Sequence, residues 1–321
     1  MDRRRFLRTS ALTAGGLLIG SRFLANCSTG KNPTVIIIGG GFSGLAAAYR
    51  LYQNDINFTI LEARKRIGGR VFSHTIDEKE KLVVELGAEW IGNSHTRIRT
   101  LCDELNLNTF NNQFATRLIY KGQYSEKDMW NYSPEWTAKF SKLKEHYKTL
   151  KDTDKEAINM DKIDWWRYLV NNGCDGDDLM LRELFDSTDF GESIREVSAY
   201  AALGEYTFSD DTNEMDLKIE GGNNQLALAI SDRIGADKIK LEHFVDKIQQ
   251  GTDKKVTVTC TNGAVFKGDY IICTAPTFSV RKMNWDPVLP EETILAIDEL
   301  QYARINKNVS LYSNRFWKDE S

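Results

Sequence analysis

The chain has 321 residues, 41% of them hydrophobic and 27% charged, which suits a folded protein of about two ordinary domains and excludes a disordered chain. Its net charge is −4, yet residues 1–26 contain five Arg and one Asp, so the remainder is acidic, at about −8. With no basic stripe of interleaved aromatics, this balance argues against nucleic acid as a partner.

The opening stretch MDRRRFLRTSALTAGGLLIG has a basic head, Arg3 to Arg8, and a modest apolar run, Ala11 to Gly20. That run is too short to span a bilayer as a stable helix. Arg-Arg-x-Phe-Leu followed by Arg8 resembles a twin-arginine export signal, which predicts a periplasmic or other extracytoplasmic protein. Leu24-Ala25-Asn26-Cys27 loosely resembles a lipoprotein cleavage box, so membrane attachment through a lipidated Cys27 is a further expectation, although Asn before the Cys is atypical. Five Cys (27, 102, 174, 260 and 273) form no C-x-x-C pair, and Cys102 and Cys273 sit in apolar patterns that predict core positions. Four scattered His (74, 95, 146 and 243) lack metal-ligand spacing, and no metal is expected.

Thr34–Ile38 is a β-branched run ending in glycines and predicts a buried strand. Phe42–Gln53, rich in Ala and Leu, predicts a helix ended by Asn54-Asp55, and Asn57–Leu61 a second strand with Glu62 at its tip. Together they form one strand–turn–helix–strand unit. Its turn carries Gly39-x-Gly41-x-x-Gly44. In such a turn the first glycine permits the tight bend, the second lets the backbone approach a pyrophosphate, and the third lets helix and strand pack closely. The helix start offers N–H groups and partial positive charge to an anion. Glu62, about twenty residues on, can accept hydrogen bonds from ribose hydroxyls. A dinucleotide site is predicted, against the plain alternative of a glycine-rich turn without a ligand.

Leu82–Leu86 predicts another strand, and Ile98, Leu101, Cys102 and Leu105 mark an amphipathic helix. Residues 135–206 read as mostly helical and Trp-rich, with Trp165 and Trp166 as core or groove lining. Ser209–Asp216 is a polar connector. The α/β pattern then resumes. Gly221-Gly222 precede a helix that presents Leu226, Ile230 and Ile234 and stops at Gly235. Val256–Cys260 alternates, Asn262-Gly263 is a hairpin turn, and Tyr270–Cys273 is a further strand. The expected fold is α/β. A Rossmann-like domain (33–92 and 216–290) is interleaved with an α+β, mainly helical substrate domain (93–215 and 291–321), after a signal segment over 1–30.

The stretch LEARKRIGGRV, Leu61 to Val71, resembles the signature of flavin-dependent amine oxidases, met here by Glu62, Ala63, Arg66, Gly68, Gly69 and Arg70. ELGAEWIG (85–92), EGGNNQLALAI (220–230), HFVDKI (243–248), GDYIICTAP (268–276) and WDPVLPEE (285–292) are similar to further family segments. The resemblance implies FAD as cofactor, bound by Gly39, Gly41, Phe42, Ser43, Gly44, Glu62, Ala63, Arg64, Gly69, Arg70, Gly87, Ala88, Glu89, Trp90 and the backbone of Val245. Arg70 can neutralise the pyrophosphate. INKNVSLYSNRFW (305–317) resembles the family strand whose Lys holds a water beside the flavin, which makes Lys307 the implied catalytic residue. The pattern alone reads Lys307 as an exposed edge-strand lysine.

The implied reaction is oxidation of a small amine by hydride transfer to flavin N5, with O2 as acceptor and imine or aldehyde, ammonia and H2O2 as products. An L-amino-acid oxidase or a desaturase of the same family is the alternative. Glu89 and Trp90 stand where amino-acid-oxidising relatives often carry an Arg, which leans toward amines. An NAD-dependent reductase is disfavoured by the RIGGR loop and the Lys307 segment. Family members usually continue well beyond the KDES at 318–321, so the sequence is expected to be incomplete or truncated, and a non-catalytic remnant is a competing reading.

Overall fold

The computed structural model describes residues 32–113, 117–126, 132–209 and 215–314. The signal-like segment with Arg3–Arg8 and Cys27, most of the 209–216 connector, and Trp317 lie outside the described residues. The chain divides into two compact units. One comprises Met1–Asn112 and Glu214–Gln301, the other Gln113–Asn213 and Tyr302–Ser321.

The first unit begins with β1 (Thr34–Ile38), α1 (Phe42–Gln53), β2 (Asn57–Leu61), β3 (Ser73–Asp77), β4 (Leu82–Glu85), α2 (Thr96–Glu104) and β5 (Thr109–Asn111). The second unit follows, with β6 (Arg117–Tyr120), β7 (Gln123–Glu126), α3 (Pro134–Thr149), α4 (Lys155–Met160), α5 (Trp165–Asn171), α6 (Gly176–Phe190) and α7 (Ala199–Phe208). The chain then re-enters the first unit through β8 (Leu217–Ile219), α8 (Asn224–Ile234), β9 (Ile239–Lys240), β10 (Val245–Gln250), β11 (Val256–Cys260), β12 (Val265–Gly268), β13 (Tyr270–Cys273), α9 (Thr277–Val280), β14 (Asn284–Asp286) and α10 (Glu291–Glu299).

Four strands of the first unit form a parallel sheet in the order β13-β1-β2-β9. β1 is apolar at every position after Thr34, and strand geometry sends successive side chains to opposite faces. Val35 and Ile37 join Leu45 and Ala48 of α1 and Leu226, Ile230 and Ile234 of α8 in one core cluster. Ile36 and Ile38 join Val245, Ile248, Val256 and Val258 in another. β1 is therefore buried on both faces, as a central parallel strand should be. The second sheet, in the order β12-β11-β10-β14, supplies the other side of that second cluster. Its β11–β12 hairpin turns at Asn262-Gly263, where Gly263 has φ +83° and Asn262 Oδ1 accepts the Ala264 N–H at 3.0 Å.

The second unit is mainly helical, and side-chain caps set several of its helix starts. Ser133 Oγ accepts the Trp136 N–H at 3.1 Å ahead of α3, Asp164 accepts the Arg167 N–H at 2.7 Å ahead of α5, and Ser198 accepts the Ala201 N–H at 3.3 Å ahead of α7. Trp165 is fully buried in the core of this unit, and its indole N–H donates to the buried Asp186 at 2.6 Å. Trp166 is only partly buried, with the guanidinium of Arg195 4.1 Å from its ring.

Two expectations need correction. Cys102 is buried, but Cys273 is exposed. It ends β13, which pairs with β1 on one side and has no other strand partner among the described residues, so apolar composition there did not mean enclosure. Residues 301–312 form no strand and are exposed throughout. A strand needs a ladder partner, and no strand among the described residues runs beside this stretch in a sheet.

Candidate functional site

The glycine turn after β1 is shaped by its neighbours. Gly39 has φ +106°, a backbone conformation that favours glycine, and a Cβ there would lie 2.7 Å from Thr274 Oγ1. That hydroxyl donates to Ile38 O at 2.8 Å, tying the ends of β1 and β13 together. A Cβ on Gly44 would lie 1.9 Å from Gly39 O, so α1 starts against the turn at a distance only glycine allows. Gly41 differs. The nearest protein atom a Cβ would meet is Gly69 Cα at 3.7 Å, so no protein clash demands glycine there. Gly41 lines a cavity, and its missing side chain leaves that space open.

The cavity encloses about 360 Å³ and is lined by residues of the first unit alone. Gly39, Gly41, Phe42, Ser43, Glu62, Ala63, Arg64, Gly69, Arg70 and Val245 all face it. These residues come from the β1–α1 turn, the end of β2, the glycine-pair loop and the start of β10. α1 has no side-chain cap and no acidic residue in its first turn, so its N-terminal partial charge is not offset locally.

Glu62 is 8% exposed, and each of its carboxylate oxygens is engaged. Oε2 accepts the Gly40 N–H at 2.6 Å and Oε1 the Arg64 N–H at 2.8 Å. Its backbone is also fixed, its N–H donating to Lys240 O at 2.9 Å and its carbonyl accepting the His243 N–H at 2.9 Å. A carboxylate oxygen has two lone pairs, so one acceptor site on each oxygen remains after these bonds.

The loop after β2 folds back onto the turn. The Gly68 N–H donates to Gly40 O at 2.9 Å, and Gly68 and Gly69 have φ +93° and +60°. Arg66 lies along this loop with its guanidinium 4.3 Å from the Phe72 ring centroid. Burial, and then the neighbouring Arg64, lower its pKa from the usual arginine value.

Gly87 and Ala88 do not line the cavity but run beside the same loop. The Ala88 N–H donates to Arg70 O at 3.0 Å, and a Cβ on Gly87 would lie 2.0 Å from that oxygen. Glu89 forms an ion pair with Lys218 at 2.6 Å, and Trp90 is 41% exposed. Gly44 packs behind the turn. Lys307 belongs to the second unit, where it is exposed in the irregular 301–312 stretch.

Sequence reasoning gave no role to Thr274, His243, Phe244, Phe278 or Met283, all of which line the cavity. The Thr following an apolar strand was the available signal for Thr274. Phe278 and Met283 come from the short α9 and the turn after it, which carry no spacing signal. Among the described residues no group of three or more His, Cys, Asp or Glu side chains could hold a metal ion, and no helix is long and apolar enough to cross a membrane.

The family model described as "Flavin containing amine oxidoreductase" matches residues 42–321. The flavin-containing amine oxidase B of Bos taurus is 29% identical over 317 residues, an alignment covering 89% of this chain and 58% of that protein. The human amine oxidase B is 29% identical over 311 residues, covering 88% and 58%. Cyclohexylamine oxidase from Brevibacterium oxydans IH-35A has a similar structure (TM-score 0.73, 22% identity, covering 84% of this chain and 63% of that one). Wild-type putrescine oxidase bound to putrescine is also similar (TM-score 0.70, 22% identity, covering 81% and 62%). The chain thus spans about 58% of the length of these curated relatives.

Proposed function

The chain belongs to the flavin-containing amine oxidoreductase family, and on that premise we propose that the whole protein binds FAD and oxidises a small amine. The observation that carries this reading is the convergence of the β1–α1 glycine turn, the pinned Glu62 and the glycine-pair loop on one cavity. The residues present fit the group. Gly41 leaves room for phosphate against the backbone, and the uncapped start of α1 presents its partial positive charge there. Glu62 keeps acceptor sites for ribose hydroxyls. Arg64 and Arg70 at the cavity wall offer guanidinium groups to the phosphates. Val245 offers its backbone to the adenine.

FAD, when bound, supplies the hydride acceptor for the carbon beside the amine nitrogen and passes the electrons to O2, so that amine and O2 become imine and H2O2, and water releases aldehyde and ammonia from the imine. The protein's part is to bind, orient and exclude water. Gly87, Ala88, Glu89 and Trp90 are assigned to the flavin edge, Lys307 to ordering a water, and the helical second unit to holding the substrate. The Glu89–Lys218 pair supports amines over amino acids as substrates, because this loop carries an acid already matched by its own cation rather than an Arg for a carboxylate. The proposed location is extracytoplasmic, reached through the twin-arginine-like segment, with Cys27 as a lipid anchor.

The test is spectroscopic. The full-length protein should be isolated yellow, and anaerobic addition of small primary amines should bleach the flavin bands without NAD. A well-folded, colourless protein that takes up no added FAD would overturn the reading.

A further inference from the structure

Arg66 does not line the cavity, yet it makes three contacts with the loop that does. Its Nη2 donates to Gly69 O at 2.9 Å, and its Nη1 donates to Ile67 O at 3.2 Å and more weakly to Val71 O at 3.4 Å. All of its hydrogen-bond acceptors are main-chain oxygens, and the Phe72 ring covers one side of the guanidinium.

Peptide geometry gives these contacts a consequence. The C=O and N–H of one trans peptide point in opposite directions. Turning Ile67 O toward Arg66 therefore turns the Gly68 N–H away from it, and that N–H donates to Gly40 O in the dinucleotide turn. Gly69, held through its carbonyl, sits so close to the turn that a Cβ on it would lie 3.0 Å from Gly41 Cα. One planar cation thus sets the orientation of alternate peptides along this loop, those that follow Ile67, Gly69 and Val71. A lysine has no fork with which to span several carbonyls at fixed spacing.

We infer that Arg66 is a positioning residue for cofactor binding: without touching the ligand, it holds the Gly68–Gly69 loop in the shape that receives a dinucleotide. This rests on the reading of the cavity as the FAD site. The guanidinium also brings a positive charge to the loop that lines the cavity, so shape and charge need to be separated.

The experiment measures FAD affinity of the full-length protein by quenching of flavin fluorescence, for wild type, Arg66→Lys, Arg66→Gln and Arg66→Ala, with the thermal midpoint without FAD recorded for each. Both Lys and Gln variants should bind FAD about tenfold to a hundredfold more weakly, because each loses charged hydrogen bonds to the loop. Methylguanidinium, and not methylammonium, should restore affinity to Arg66→Ala, a selectivity that general loss of stability would not produce. Should Arg66→Ala fail to fold, Arg66→Lys, which keeps the stem and the charge, decides the matter. A Lys variant that binds FAD as tightly as wild type overturns the inference alone. A folded wild type that binds no FAD overturns the cofactor reading and this inference with it.

Discussion

Replacing Glu62 with Gln tests the centre of the site, because it keeps the shape and removes the charge. In the wild type two backbone N–H groups, from Gly40 and Arg64, donate to opposite oxygens of one carboxylate at 2.6 and 2.8 Å. A glutamine can accept only one of them, and its NH2 must then face the other donor. Hydrogen bonds to a charged acceptor contribute about 1.5–3 kcal/mol each, and neutral ones about 0.5–1.5 kcal/mol. One bond is lost and the other weakened at a buried position, so the turn should be destabilised by about 2–4 kcal/mol. For a unit of this size each kcal/mol moves the midpoint by about 2–4 °C, which predicts a melt roughly 4–16 °C lower without any ligand. Differential scanning fluorimetry without FAD reads the structural part, and an FAD titration reads the binding part. Glu62→Asp, too short to reach both donors, should fall on the same side. If Glu62→Gln melts with wild type and binds FAD equally well, the carboxylate does not organise this turn and the argument fails.

Three further outcomes are expected. Asp269 accepts the Thr34 N–H at 2.9 Å and then the Lys255 ammonium at 2.9 Å, which together hold its carboxyl below the usual carboxylate range. A depressed folded pKa gives stability that is present above the unfolded value, near 4, and lost as pH falls through the folded one. The stability gap between wild type and Asp269→Asn should thus be largest near neutrality and close in acid, and a gap that is constant with pH in denaturant titrations would contradict this. Lys307→Met should leave FAD binding intact while slowing flavin reoxidation in stopped-flow, and unchanged reoxidation would remove Lys307 from the proposed site. Changing Arg3 and Arg4 together to Lys should trap the precursor in the cytoplasm on cell fractionation, whereas continued export would refute a twin-arginine route.

What could be read in advance followed from residues whose local preferences agree with their surroundings. Thr34–Ile38 is β-branched at all five positions and became an interior strand of the parallel sheet, and Phe42–Gln53 became its crossover helix. Gly39 and Gly44 stand where the backbone requires glycine, and Glu62 at the tip of β2 faces the same cavity. Val245 was found only through likeness to known proteins, since nothing in its spacing marks a cavity wall. Arg66 belonged to the quoted signature without a role because its partners are carbonyls, whose directions depend on the positive φ of Gly68 and Gly69 and not on residue type. Cys273 was misread because an apolar strand at one margin of a sheet need not be covered on both sides. The stretch around Lys307 alternates like a strand, but alternation alone does not create a sheet ladder.

The double-sided burial of β1 leaves a problem of alignment. Slipping a strand by one residue normally exchanges its greasy and wet sides, and the penalty for that exchange keeps it in place. From Val35 to Ile38 β1 has no wet side, so sliding would cost little in burial. Its alignment rests on its two ends instead. At the entrance, Thr34 and Asp269 exchange bonds, the Thr34 N–H to the Asp269 carboxylate at 2.9 Å and the Asp269 N–H to Thr34 O at 2.8 Å. At the exit, Gly39 occupies a bend that a neighbouring isoleucine could not adopt, and both the N–H and the hydroxyl of Thr274 hold Ile38 O at 2.8 Å. The residues that place the ligand turn are thus also the pegs that stop the strand sliding, and damage to them would be felt first as loss of alignment in an otherwise intact core.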